Sequence, residues 1–168
     1  MIQTALAAGT ALAATAALIA WLHRHLLVID VSGPSMEPTL YGGDRVLVRR
    51  RTLRHVRAGD IVVARSAGHL QSSPSPGTTA RASRHPAGHA WMIKRVAAVP
   101  GDPVPASLAA TLSTTPGTPV PDGRMLVLGD NTRVSTDSRY FGYVSGDGVL
   151  GVVVRHLRPR DEASGRAR

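Results

Sequence analysis

Two residues of this chain have a type and a setting that could do chemistry: a serine on a stiff turn and a lysine able to act as a base. Ser35 lies in Val31-Ser-Gly-Pro-Ser-Met-Glu-Pro-Thr-Leu40, between Gly-Pro and Met-Glu-Pro. Pro34 and Pro38 fix their own φ angles and bias the residues before them away from helix, and Gly33 permits close backbone approach. Such a segment presents one side chain on a rigid bend, although Gly/Pro/Ser clusters are also ordinary loops. Lys94 lies in Trp91-Met-Ile-Lys-Arg-Val-Ala-Ala-Val-Pro-Gly-Asp102. The chain carries nineteen Arg and this one Lys. Arg cannot deprotonate in a protein, whereas a desolvated Lys can. The single lysine thus points to a position where Arg would not serve, the alternative being an accident of an Arg-rich composition.

The element that must position Lys94 reads as a strand. With period-two alternation, Met92, Lys94 and Val96 share one face, and Ile93 and Arg95 the other. Apolar neighbours on its own face disfavour an ammonium. To work near neutral pH, the lysine pKa must fall from about 10.4 to about 7–8, on the order of 4 kcal/mol of preference for the neutral form, which burial can supply. A lysine snorkelling from a sheet edge is the plainer reading.

Around these two residues the pattern is of short β-type runs. Leu26-Leu-Val-Ile-Asp-Val31 leads into the serine turn, Arg45-Val-Leu-Val-Arg49 alternates, and Gly59-Asp-Ile-Val-Val-Ala64 is apolar behind a turn. Gly123-Arg-Met-Leu-Val-Leu-Gly-Asp-Asn131 is a strand ending in a turn, and Tyr143-Val144 and 148–154 are closing strands. In Thr132-Arg-Val-Ser-Thr-Asp-Ser-Arg-Tyr-Phe-Gly142, the hydroxyls of Ser135, Thr136 and Ser138 interleave with Asp137 and Arg139, close to Asp130. They could form a network that orients a neighbouring group, or an Asx/ST turn that satisfies its own backbone. Residues 66–90 and 102–122 are rich in Ser, Pro, Gly and Thr and are expected to be mobile loops. His69, His85 and His89 in the first have no acidic partner or helical spacing, so no metal site is expected there. Residues 156–168 form a polar tail.

Residues 2–22 contain no charged side chain. As a helix they span about 31 Å, enough to cross the hydrocarbon core of a bilayer. Trp21 lies where interfacial aromatics belong, and His23-Arg24-His25 follow as a polar stop. A cleavable signal peptide would want a basic start and a shorter apolar core. The segment is therefore expected to be a transmembrane helix, with a buried soluble helix as the alternative. Arg24, Arg45 and Arg49 to Arg51 all follow it, so a simple charge count would leave the rest of the chain in the cytoplasm, although long domains translocate largely regardless of charge.

One domain fits 168 residues less the anchor. The absence of Cys excludes disulfides, thiolate metal sites and a thiol nucleophile. The net charge of +9 suits anionic lipid headgroups beside a membrane helix. Scarce aromatics argue against a single-strand nucleic-acid binder, and no nucleic-acid partner is expected.

Taken together, Ser-Gly-Pro-Ser35-Met-Glu-Pro-Thr-Leu, Gly59-Asp-Ile-Val-Val, Ile93-Lys94-Arg-Val-Ala-Ala-Val-Pro-Gly-Asp and Gly129-Asp-Asn with Ser135-Thr-Asp137-Ser-Arg139-Tyr-Phe-Gly resemble the successive boxes of type I signal peptidases, the Ser/Lys membrane proteases. The boxes stand in that family's order behind an N-terminal apolar segment, over roughly residues 2 to 155. Mitochondrial inner membrane proteases and the maturation protease of nickel superoxide dismutase share them. The resemblance implies a mostly β, antiparallel catalytic domain over residues 26–155, outside the cytoplasm. It implies that Ser35 is the nucleophile and Lys94 its general base, with no cofactor and no metal. Ser135 resembles the hydroxyl that orients the lysine amine, with Asp137 and Arg139 as its support. The Ser35 N–H would donate to the oxyanion. Where many relatives add a hydroxyl donor, this chain has Gly33, as in Gram-positive-type members. The implied partners are membrane lipids and a preprotein, its signal or leader segment extended against a strand. Val31, Met36, Leu40 and Ile93 are the candidates for lining shallow pockets that select small residues.

Two departures stand out. Arg133 comes one position later after Gly129-Asp-Asn than in relatives, and the 102–122 connection is short enough to imply that the accessory domain of larger members is absent. Two other classes compete. Self-cleaving repressors of the bacterial damage response use the same dyad, but they need a DNA-binding head and lack the Gly-Asp-Asn box. A non-enzymatic, anchored, Arg-rich domain that binds anionic lipid or polymer is the other.

Overall fold

The computed structural model describes residues 15–17, 19–66 and 91–157. Residues 19–25 are helical and run directly into β1 (Leu26–Asp30). There follow β2 (Arg45–Arg50), β3 (Ile61–Arg65), β4 (Trp91–Ala98), α1 (Ala106–Ala109), β5 (Arg124–Leu128), α2 (Ser138–Phe141), β6 (Val144–Ser145) and β7 (Val149–Leu157). The strands make one sheet in the order β1-β2-β7-β3-β4-β5-β6, every neighbouring pair antiparallel. The expected mostly β, antiparallel architecture is therefore observed. β7 lies between β2 and β3, which share no ladder of their own.

The side-chain period of two decides what each strand buries. In β2, Val46 and Val48 are fully buried between partly exposed Arg45, Leu47 and Arg49. β3 is covered on both faces: Val62 and Ala64 join one core cluster with Val96, Met125 and Val127, while Val63 joins another with Val31, Met36, Leu40, Val46 and Val48. β4 alternates as the sequence suggests. Met92 and Val96 belong to the first cluster, and Trp91 and Ile93 pack on the second.

The 102–122 stretch, expected to be a mobile loop, carries a core cluster of its own. Val104, Leu108, Ala109 and Val120 are buried against Ala98 and Leu126. Hydrogen bonds from Val104 N to Thr118 O (2.8 Å) and from Val120 N to Asp102 O (2.8 Å) close its base. Its apolar residues are irregularly spaced among Pro and Thr, so no period announces them.

Most of the expected 2–22 membrane span lies outside the described residues. Among those residues, no helix is long and apolar enough to cross a membrane. The 67–90 segment with His69, His85 and His89, and residues 158–168 of the polar tail, also lie outside them, while β7 runs on through Leu157.

Candidate active site

The serine turn is anchored on both sides of the residue it presents. Hydrogen bonds from Val31 N to Asp44 O (2.8 Å) and from Gly43 N to Val31 O (2.9 Å) pinch its base. Val31, Met36 and Leu40 sink into the second core cluster. Gly33 takes φ +81°, a left-handed value that suits only glycine without strain. Within the turn, Glu37 N donates to Pro34 O (3.2 Å) and Leu40 N to Met36 O (3.0 Å). Ser35 itself is left half-buried. Among the described residues, neither its N–H nor that of Gly33 is engaged by a backbone or side-chain acceptor.

Lys94 comes from β4, paired with Val62 of β3, and is only 6% exposed. Its Nζ lies 2.7 Å from Ser35 Oγ, within hydrogen-bond reach. Burial pushes the lysine below its ordinary value. The Asp137 carboxylate pulls it back up, and the Arg139 guanidinium pushes it down. With the amine neutral, Ser35 O–H can donate to Nζ, the polarity a general base requires.

Asp137 is fully buried, and every neighbour around it donates. Ser135 Oγ (2.7 Å) and Gly129 N (2.8 Å) donate to Oδ2. Arg139 gives Nε to Oδ1 (2.9 Å) and Nη2 to Oδ2 (2.6 Å), and its backbone N–H also reaches Oδ1 (3.2 Å). Burial alone would raise the carboxyl, but these bonds overcome it and hold the pKa at about 2. The Ser135–Asp137–Arg139 run is thus a network rather than a solvated turn. Among the described residues no hydrogen bond joins Ser135 to Lys94; the Ser135 hydroxyl hydrogen goes to Asp137, and its oxygen keeps acceptor lone pairs.

A folded-state pKa depressed from 3.8 stabilises the fold above the unfolded value and loses that stabilisation as pH falls through the folded one. The contribution is at most about 2 kcal/mol. Asp137→Ala is expected to cost about 2–3 kcal/mol at neutral pH, since it leaves a partly buried guanidinium without its partner. In urea titrations the gap between wild type and variant should narrow between pH 4 and pH 2. A gap constant across that window would refute the assignment.

A second clamp was not read from the sequence. Arg95, the residue after the lysine, points to the other face and grips Asp130 with Nε (2.9 Å) and Nη2 (2.7 Å), while Nη1 donates to Gly59 O (3.0 Å). Thr39 Oγ1 donates to the same carboxylate (2.5 Å). The lysine strand, the serine turn and the loop after β5 are thereby tied at one point. Arg95 holds Asp130 below the ordinary carboxylate range, helped by Thr39 against burial. The only local sign was an Arg alternating with the lysine, since its partners are distant in sequence. Asn131 N also donates to Ser35 O (3.1 Å). Arg133, one position out of the expected place, is exposed, and its N–H reaches Asn131 Oδ1 (3.3 Å). Asp44, buried under the turn, accepts from Tyr41 N (2.9 Å) and pairs with His156 Nε2 (2.8 Å).

Of the candidates for lining pockets, Val31, Met36 and Leu40 are core residues, and Ile93 is half-buried on the same cluster.

Comparison with known proteins matches this chain to mitochondrial inner membrane proteases and to probable signal peptidases I. Mitochondrial inner membrane protease subunit 1 of Mus musculus is 34% identical over 124 residues, covering 68% of this chain and 59% of that protein. A probable signal peptidase I-2 of Synechocystis sp. is 32% identical over 139 residues, covering 72% and 58%. Mitochondrial inner membrane protease subunit 1 of Schizosaccharomyces pombe is 30% identical over 149 residues, covering 86% and 82%. The chain thus spans a little under three-fifths of the length of the first two relatives. The model of the family described as signal peptidase, peptidase S26, matches residues 1–113 and 105–157, which takes in the serine turn, the lysine strand and the Asp137 network. The chain belongs to the signal peptidase family, peptidase S26.

Proposed function

We propose that this chain is a membrane-anchored serine endopeptidase that cuts signal or leader segments from exported preproteins, with Ser35 and Lys94 as its dyad. The observation that carries the reading is the 2.7 Å approach of a buried lysine amine to a serine hydroxyl on an anchored turn. Ser35 Oγ attacks the scissile carbonyl carbon as its proton passes to Lys94 Nζ. The oxyanion is met by the unengaged N–H of Ser35, with that of Gly33 as the second donor. Lys94 then protonates the leaving amine, and the acyl-enzyme is hydrolysed by a water that gives its proton to the same Nζ. Asp137, held by Arg139, fixes Ser135 near the lysine, and the Ser135 oxygen keeps its lone pairs free for the amine. The side chain of Ile93, above the Val31–Met36–Leu40 core, forms the floor for small substrate residues. The anchor is the 2–22 segment, whose described end carries exposed Ile19, Trp21 and Leu22, and the catalytic domain is extracytoplasmic. The chain between Leu22 and Ser35 spans at most about 45 Å, so the serine works close to the bilayer.

The test is cleavage of a synthetic preprotein with an Ala-x-Ala junction by the full chain in lipid vesicles, beside Ser35→Ala. Wild type should cut after the second Ala, and the variant should not. Equal cleavage by both would end the serine assignment. A wild type that ignores this junction but cuts one native preprotein would make it a maturation protease dedicated to that substrate. No cleavage of any preprotein would leave an anchored Arg-rich binding domain.

A further inference from the structure

The helical residues 19–25 leave the sheet at the end where Leu26 of β1 pairs with Arg49 of β2. Arg50 stands opposite Gly151 of β7, Gly151 opposite Val63 of β3, and two residues further along β3, Arg65 is opposite Trp91 of β4. With Arg24 on the helix and Arg51 just past β2, five guanidinium groups gather at this end. Arg24, Arg50 and Arg65 are exposed, and Arg49 and Arg51 are half-buried, as expected when stems lie on the protein and heads reach water. Among the described residues none of the five forms an ion pair. The carboxylates that do pair are Asp30, Asp44, Asp130 and Asp137, on the serine turn, its base or the supports of the dyad. Asp147, exposed in the turn before β7, pairs with none of them.

The adjoining helix has the complementary character. Ile19, Trp21 and Leu22 are exposed, and the Trp21 ring stacks on His25 with centroids 4.6 Å apart. Apolar side chains next to unpaired cations match the order of acyl chains and phosphates across the surface of a bilayer. A soluble polyanion would have no use for the apolar half. We propose that this arginine collar docks on the anionic headgroups of a lipid bilayer and thereby fixes the height of the dyad above the membrane. Lys94 is three residues along β4 from Trp91, so it stands roughly 10 Å above the collar. The proposal rests on the reading of the chain as a membrane protein only for the helix beside the collar.

The experiment uses the full chain carrying Trp21→Phe, which leaves Trp91 as the only tryptophan. It is mixed with vesicles of phosphatidylcholine, with or without phosphatidylglycerol, each containing a headgroup-labelled quencher lipid. Flotation reports the anchor, and quenching of Trp91 reports the collar. Quenching should rise roughly twofold or more with phosphatidylglycerol, and fall back at high salt as surface charges are screened. It should fail to rise when Arg49, Arg50, Arg51 and Arg65 are all replaced by Gln. A chain that floats with both vesicles but shows no lipid-dependent quenching keeps its anchor and refutes the collar. Flotation only with phosphatidylglycerol supports the collar and refutes the anchor. Flotation with neither refutes both. Loss of the response to an equal charge of soluble RNA would make the patch a general polyanion site and overturn the proposal.

Discussion

Lys94→Arg is expected to leave a folded protein whose cleavage rate is lower by about a thousandfold or more, the loss that follows removal of a positioned general base. The charge is kept, so long-range electrostatics barely change, but no proton can be accepted at that position. The larger head must also fit a site only 6% exposed, which adds a packing cost of about 1–3 kcal/mol. Lys94→Met separates the two effects. It is equally unable to take the Ser35 proton, yet it removes a desolvated cation and fills the same space. Its stability at neutral pH should equal or exceed that of wild type while activity is lost. The pH dependences carry the same signature. Burial lowers the lysine, so wild-type kcat/KM should rise with pH along one ionisation below 10.5. Between that ionisation and 10.5 the unfolded chain holds the proton and the folded one does not, so wild-type stability also rises with pH there. The Met variant should lack that slope. An active Lys94→Arg would mean that another group takes the proton.

Gly129→Ala should be the most damaging small substitution at the site. A Cβ at this position would be 2.5 Å from both Ser35 O and Ser135 Cβ, and would overlap Ser135 Oγ outright. The backbone of the nucleophile and the hydroxyl on Asp137 both rest against the bare α-carbon. One methyl must therefore push the serine turn and the Asp137 network apart. The Gly129 N–H, which donates to Asp137, would shift with it. A displacement of about 1 Å at a reacting group costs roughly a hundredfold in rate, and overpacking adds about 1–3 kcal/mol of instability. Cleavage assayed well below the melting temperature of the variant, with melting followed separately, distinguishes the two. Near-wild-type activity would show that the 129–131 loop does not set the geometry of the dyad.

The sequence made legible what depends on local pattern and residue type. The alternation through Arg45–Arg49 and around Lys94 gave strands with the observed burial, and the solitary lysine and the Gly-Pro-flanked serine were found by chemistry alone. Long-range pairing left no such mark. Arg95 reaches Asp130, and Asp44 reaches His156, across distances no window of sequence samples. The hydroxyl–carboxylate run from Ser135 to Arg139 read equally well as a turn, because only burial turns those residues into a network. The 102–122 region read as loop because Val104, Leu108 and Val120 owe their burial to Ala98 and Leu126, which lie on other strands.

The place of β7 bears on when activity can begin. The serine half of the sheet, β1 and β2, and the lysine half, β3 to β6, are joined through a strand that is synthesised after every residue of the site. Closing such a ladder requires contacts far apart in sequence, which form late because their loop entropy must be met first. Until residue 157 has emerged, a nascent chain lacks the ladder between β2 and β3, while the Thr39–Arg95–Asp130 clamp and the core around Val63 hold Ser35 and Lys94 together. Under the proposed dyad, cleavage is therefore expected to lag behind synthesis, and a chain stopped before Val149 should cut far more slowly than the full chain.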